Sequence, residues 1–286
     1  MNILYNLVQG TVEWHAHRKQ YFNASETPAV MGVSPWQTPY ELWLVKTGRK
    51  VTESNLAMQH GTALEPAARA AFEATTGLIM QPQLVVDGQY SASLDGTTLN
   101  GTTLVEIKCP YKGQASALWQ TVSTGTIPEH YRWQVQHQLM VSKAKLAYLW
   151  VFDGSAGTQL TIEPDEASFL QIRQAWEAFN HYLVTDVPPP LSEQDIKNRT
   201  DETWQEAAEH YRALKSAVDD AQIKADAAKA ELIALATHTK ESGFGVSVTR
   251  FWKRGNVDYK KVPELQECNL SLYRGATREE VRITIG

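Results

Sequence analysis

Cysteine is scarce: 286 residues hold only Cys109 and Cys268, which excludes a disulfide framework or a four-cysteine zinc or iron–sulfur site within one chain. So sparse a use of cysteine points to a reducing setting. No apolar run approaches the roughly 18 residues that a membrane span needs, so no membrane association is expected. The start Asn2-Ile3-Leu4-Tyr5-Asn6 lacks a basic segment and a long apolar core, and no secretory leader is expected there. Surplus positive charge is missing too. A net charge of −5 argues against coating nucleic acid by bulk attraction but leaves room for a local basic groove. The charge is uneven, because residues 243–286 hold eight Lys/Arg against five Asp/Glu, leaving residues 1–242 at −8. Glycine and proline are absent from residues 192–239, which favours one long helix there. What remains is an ordinary globular composition, with enough chain for one large domain or a domain and an appendage.

The most informative stretch is residues 91–110. Two strand-like runs flank Asn100-Gly101, a strong signal for a two-residue hairpin turn. With that turn, opposed residues have numbers summing to 201, so Asp95 faces Glu106. Strand alternation then puts Lys108 on the Glu106 side and Leu94, Val105 and Ile107 on the other. A bulge near Gly96 would shift the pairing by a residue without undoing the convergence. Like charges so opposed destabilise a sheet unless something compensates, and a divalent cation is the natural compensation.

Along the chain, residues 12–19 form a helix-like segment rich in basic and aromatic groups. Asn23-Ala24-Ser25-Glu26-Thr27-Pro28 reads as a helix start, with Ser25 as cap and Pro28 in the first turn. Such a start can seat a phosphate, with Arg18, Lys19 and Ser25 completing the seat. The same residues also read as a solvated basic face followed by an ordinary cap. Residues 54–77 are helical up to Gly77, and Pro66 marks a kink or a restart. Glu65 is either a surface group or a buried acid in need of a cation or donor. Strands are expected at 83–87, 146–152 and 158–163, and helices at 113–119, 128–140 and 169–183. Gln134 and Gln138 share a helix face at i, i+4, while Phe169, Ile172, Trp176 and Phe179 form a core stripe.

Pro188-Pro189-Pro190 is a rigid break and divides the chain into domains at 1–187 and 191–286. Beyond it, Trp204, Ala207, Tyr211, Leu214, Val218, Ala221, Ala225, Ala228, Leu232 and Leu235 make a heptad seam for helix pairing, within the chain or between chains. A second hairpin is expected from residues 246–252, a turn at Gly255-Asn256, and residues 257–259. Arg250, Lys253, Arg254, Lys260 and Lys261 make it basic, either as a solvated edge or as a docking surface for DNA or a partner.

Asp95 followed by Glu106-Ile107-Lys108 on the paired strand has the spacing of an Asp…Glu-x-Lys metal-dependent nuclease site. Phosphodiester cleavage near neutral pH needs a cation on the phosphate oxygens, a hydroxide generated beside it and stabilisation of the leaving oxyanion. Carboxylates suit Mg²⁺, which prefers hard oxygen ligands. A lysine two residues from a ligand can position the attacking water, or act as its base if its pKa is depressed. The wider chain, residues 14–152, resembles the YqaJ / lambda-exonuclease-type viral recombinase nucleases of the PD-(D/E)xK group. Five ordered blocks carry the resemblance: Arg18 with Ala24-Ser25-Glu26; Gly61-Thr62-Ala63-Leu64-Glu65-Pro66; Ser93-Leu94-Asp95-Gly96; Val105-Glu106-Ile107-Lys108-Cys109-Pro110; and Pro128-Glu129-His130-Tyr131-Arg132-Trp133-Gln134-Val135-Gln136. Ser-Leu-Asp stands where the group's name has Pro-Asp.

The resemblance implies an α/β fold: a restriction-endonuclease-like core with a central mixed sheet flanked by helices, here extended by a long C-terminal helix and a β-hairpin. It implies a 5′→3′ exonuclease on double-stranded DNA ends that leaves a 3′ single strand for an annealing protein, as in phage-type recombination. Asp95 and Glu106 would be Mg²⁺ ligands with the Ile107 carbonyl as a third, Mn²⁺ being a substitute, and Glu65 would serve a second ion. Lys108 would orient the water, Arg18 and Ser25 would hold the 5′-phosphate, and Gln134 would support the site. A trimeric ring around DNA and a phage or prophage protein in the bacterial cytoplasm belong to the same expectation. A restriction-type or structure-specific endonuclease is the rival within this chemistry. A non-catalytic DNA-binding or scaffold protein built on the heptad helix is the rival outside it.

Overall fold

In a computed structural model, residues 3–5, 7, 11–51, 55–253, 255–256, 258–265 and 268–276 are described. They give, in order, β1 (Ile3–Tyr5), α1 (Val12–Gln20), β2 (Phe22–Asn23), α2 (Thr27–Val30), α3 (Pro39–Lys46), α4 (Leu56–Thr76), β3 (Gln81–Asp87), β4 (Tyr90–Thr97) and β5 (Thr103–Lys108). There follow α5 (Ala117–Ser123), α6 (Glu129–Ser142), β6 (Leu146–Phe152), β7 (Gly157–Ile162), α7 (Glu166–Thr185), α8 (Glu202–Leu235), β8 (Lys240–Gly243) and β9 (Val246–Thr249). The chain divides into two compact units, Met1–Ile196 and Lys197–Gly286.

Among the described residues the first unit holds a seven-stranded mixed sheet, ordered β1-β3-β4-β5-β6-β7 with β2 beside the start of β4. The β5–β6 and β2–β4 pairs are parallel and the others antiparallel. A parallel neighbour needs a crossover, which α5 and α6 supply between β5 and β6. One sheet face packs on α4, where Ala68 and Phe72 meet Met80, Val105, Ile107, Trp150 and Phe152. The other packs on α6 and α7, where Leu139, Ile172 and Trp176 meet Leu94, Leu104, Leu149 and Val151. Both faces of β6 are therefore covered, which is why residues 146–152 are apolar without alternation. Helix ends follow local chemistry. Thr38 and Glu41 form a capping box on α3, and Asn55 accepts from Met58 N at 2.9 Å to start α4. The α4 helix runs continuously through Pro66, so no restart occurs, and it stops at Gly77 with φ +72°.

Next to the turn the central hairpin keeps the expected register, since Gly96 pairs with Val105 and Thr97 with Leu104, both summing to 201, but the strand pairing stops there and does not include Asp95 with Glu106. Its loop is longer than the two residues expected. The strands end at Thr97 and Thr103, and Asn100 Oδ1 ties the loop by accepting from Thr102 N at 3.1 Å and from the hydroxyls of Thr98 and Thr102. A loop lengthened symmetrically preserves the register, so the pairing survives the wrong turn length. One side chain departs from the face that strand alternation predicts. Leu94 lies with Leu104 on the α6 side, not with Val105 and Ile107, because β4 carries an extra residue against β3 where the register shifts between Gln81 and Gln83. Gly96 lies at this bulge on the α4 side, and a Cβ there would sit 2.8 Å from Met80 Cβ and 2.9 Å from Val105 Cγ1.

In the second unit, α8 is capped by Asp201, which accepts from Trp204 N at 3.2 Å, and none of its residues is buried. Residues 192–201 are not helical. The C-terminal hairpin pairs differently from expectation: β9 ends at Thr249 and pairs backwards with β8, while the described residues Asp258 and Tyr259 lie outside any strand. Phe244 at φ +50° and Gly245 at φ +81° make a two-residue turn whose short closure wins over the longer forward loop. The expected basic position Arg254 and strand position Val257 lie outside the described residues. Among the described residues no helix is long and apolar enough to cross a membrane.

Candidate active site

Strand alternation on β5 sends Val105 and Ile107 to α4 and Leu104 and Glu106 to α6. Glu106 is 2 % exposed, and a carboxylate so buried needs partners. It has three. Gln134 Nε2 donates to Oε1 at 2.6 Å, Gln138 Nε2 donates to Oε2 at 2.5 Å, and Lys108 Nζ donates to Oε1. Both glutamines come from one face of α6, one turn apart. Gln138 is wholly buried, and its one sequence signal is the i, i+4 spacing from Gln134.

Asp95 sits at the bulge. Its Oδ2 accepts from Ile107 N at 2.7 Å, so a side chain replaces the ladder bond and brings the carboxylate to β5. Burial pushes its pKa well above the usual carboxylate range, Glu106 and Glu65 push the same way, and Lys108 and the Ile107 N–H oppose them. Lys108 lies 5.2 Å from the centre of the Tyr131 ring. Burial works against its charge, but Glu106, Tyr131 and Asp95 outweigh burial and raise its pKa. In this arrangement Lys108 is a cation and a donor to Glu106. Glu65, on α4, is half-buried and bonded to Arg69, whose NH2 donates to Oε1 at 2.6 Å while its Nε donates to the Asp95 carbonyl at 2.6 Å. Burial raises the Glu65 pKa against the pull of Arg69. Arg69 escaped the sequence reading although it stands four residues from Glu65 on one helix face.

Arg18 and Ser25 also meet. Arg18 NH1 donates to Ser25 Oγ at 3.0 Å and NH2 to Glu26 Oε1 at 2.8 Å, while its guanidinium lies 4.7 Å from the Trp14 ring centre. Ser25 does not cap a helix, because it falls in a 3₁₀ turn, Ala24–Glu26, and its hydroxyl is taken by Arg18. Glu26 is buried, with Lys46 Nζ at 2.6 Å and Asn23 Nδ2 at 2.9 Å on Oε2. Burial disfavours its charge, yet Lys46 and Arg18 prevail and hold its pKa below the ordinary value. Helix α6 joins the two clusters: Gln134 and Gln138 reach Glu106, and His137 Nδ1 lies 2.6 Å from Thr27 Oγ1, two residues from Ser25.

Among the described residues no three His, Cys, Asp or Glu side chains gather closely enough to hold a metal by themselves. The pair Asp95 and Glu106 with the Ile107 carbonyl nevertheless suits Mg²⁺, which takes one or two carboxylates and keeps several waters. Burial first, and then Glu106 and Glu65, disfavour the Asp95 carboxylate, a cost that a cation beside it would relieve. Glu65 joins such a set only by leaving Arg69.

Residues 13–145 match the YqaJ-like viral recombinase domain. Over 240 residues the chain is 27 % identical to protein YqaJ of Bacillus subtilis (strain 168), covering 74 % of each. Its fold is similar to that of the alkaline exonuclease LHK-Exo from Laribacter hongkongensis, with a TM-score of 0.54 and 29 % identity over 62 % of this chain and 94 % of that one. The LHK-Exo complex with dAMP matches at 30 % identity with the same TM-score and coverage. The sheet, the β4–β5 cluster and these likenesses agree, and residues 13–145 of the chain form a YqaJ-like viral recombinase domain.

Proposed function

We propose that this chain is a Mg²⁺-dependent deoxyribonuclease that enters at the end of linear double-stranded DNA, digests one strand 5′→3′ and leaves a 3′ single strand. The observation that carries the reading is the placement, by one helix, of a carboxylate cluster around Glu106 and an arginine–serine cluster at Arg18 and Ser25. Asp95, Glu106 and the Ile107 carbonyl would hold the ion, with Mn²⁺ as a substitute, and Glu65 would serve a second once free of Arg69. Bound there, Mg²⁺ supplies charge stabilisation to the phosphate and acidifies water.

The chain's own groups do the rest. Lys108, held as a cation, donates to the attacking water and to charge developing on the phosphate. Gln134 and Gln138 keep the Glu106 carboxylate in one orientation. Arg18 uses two of its five donors on Ser25 and Glu26, which leaves others for a terminal 5′-phosphate beside the Ser25 hydroxyl. The LHK-Exo structure with dAMP supports the reading, since dAMP is the kind of mononucleotide that a DNA exonuclease releases. The resemblance extends it to a trimeric ring threaded by DNA, delivery of the 3′ strand to a single-strand annealing protein, and action in the host cytoplasm. End-labelled linear duplex with Mg²⁺ tests it. The 5′ label leaves first, as mononucleotide, and covalently closed circles stay intact. First release of the 3′ label, or nicking of the circles, overturns it.

A further inference from the structure

The second unit presents an apolar seam that none of its own described residues buries. On α8, Trp204 is 54 % exposed, Leu214 56 %, Val218 59 % and Leu235 72 %, and the helix spans 34 residues, about 51 Å. A stripe of this length in water marks an interface. The order of its residues says what fits. Set against its own reverse, the seam places Trp204 opposite Leu235, Ala207 opposite Leu232, Tyr211 opposite Ala228, Leu214 opposite Ala225 and Val218 opposite Ala221. Each pair sums to 439, so a single register satisfies them all. Four of the five layers set a larger side chain against alanine, which fills space evenly at close approach.

A parallel pairing does the opposite. It stacks Trp204 on Trp204 and Tyr211 on Tyr211, while Ala221, Ala225 and Ala228 each meet themselves and leave gaps. Flanking charges agree. A parallel pair sets Lys224 against Lys229 of the second copy, whereas the antiparallel pair sets His210 near Glu231 and Lys215 near Gln222. We propose that α8 is an antiparallel homodimerisation helix whose seam docks on the same seam of a second copy, with Val218 against Ala221. The contact is isologous, with its two-fold axis between residues 219 and 220, and it closes on itself. It is independent of the nuclease reading and of any assembly made by the first unit.

Light scattering on the full chain measures the consequence. Because Leu214 and Val218 are exposed in the protomer, the double variant Leu214→Lys, Val218→Lys keeps its helical circular dichroism and has half the molar mass of the unmodified chain; an unchanged mass overturns the proposal. Orientation has its own readout. Leu214→Cys and Ala225→Cys chains, each also carrying Cys109→Ser and Cys268→Ser, are oxidised alone and as an equal mixture. The mixture gives several-fold more disulfide dimer than either alone, and mass spectrometry finds the 214–225 link. Equal or greater yields from each variant alone indicate another pairing and overturn it.

Discussion

Glu26 and Glu106 are both buried in the first unit, but the charge around them differs in sign. Glu26 is one acid between two cations, Arg18 and Lys46, and its pKa is held low. Glu106 shares one close cation, Lys108, with Asp95, and the Asp95 pKa is driven up. The first cluster has positive charge to spare and the second negative charge to spare. Burial amplifies each imbalance, because charges interact more strongly where water is excluded. Similar residue types thus leave a positive surplus in one place and a negative surplus in the other, and only the local partners tell them apart.

The largest expected effect comes from breaking the acidic cluster. Lys108→Ala and Asp95→Asn each lower nuclease turnover about 10³-fold, the order seen when a preorganised charge at a reaction centre is lost; single-turnover rates on 5′-phosphorylated duplex check this. Asp95→Asn also removes unbalanced charge, so without metal its Tm rises by a few degrees, roughly 1 kcal/mol for a unit of this size. Mg²⁺ raises the Tm of the unmodified chain and leaves that of Asp95→Asn where it was.

Breaking the basic cluster acts on stability. Glu26→Gln strands Lys46 in a buried position and costs about 3–5 kcal/mol, read by urea unfolding. The pH dependence has a definite sign. Since folding depresses the Glu26 pKa, its contribution is full above its ordinary value of 4.5 and fades as pH falls through the folded value. The unmodified chain therefore loses stability more steeply below that value than Glu26→Gln does. A smaller effect sharpens the comparison at α6: Gln138→Ala lowers turnover by about 10- to 100-fold, as expected for a residue that orients a metal-binding carboxylate. Smallest is Arg18→Ala, which reduces the preference for 5′-phosphate over 5′-hydroxyl ends about tenfold, near the worth of one charge-assisted hydrogen bond. An unchanged ratio would remove Arg18 from the phosphate seat.

Much of this architecture was legible residue by residue. Asn100-Gly101 set the β4–β5 register although the loop proved longer, residues 146–152 read as a strand, and the stripe Phe169, Ile172, Trp176 and Phe179 read as core. These are signals of local periodicity and turn chemistry, which a sequence carries in full. The structure brings Lys108 and Gln134 onto Glu106 and ties Asp95 to the Ile107 N–H of the same strand. What remained hidden depends on a neighbour distant in sequence. The bulge that turns Leu94 towards α6 is decided by how β3 lies beside β4. Lys46 reaches Glu26 across twenty residues, and Arg69 reaches the Asp95 carbonyl from another element. The pKa of Lys108 rises only because burial brings Glu106, Tyr131 and Asp95 around it. Sequence alone determined most of the helices and strands and the residue types available to each cluster, because periodicity, turns and residue type are local properties. Tertiary structure alone decided the sign of the charge surplus at each cluster, because that surplus exists only after packing chooses the partners and removes the water.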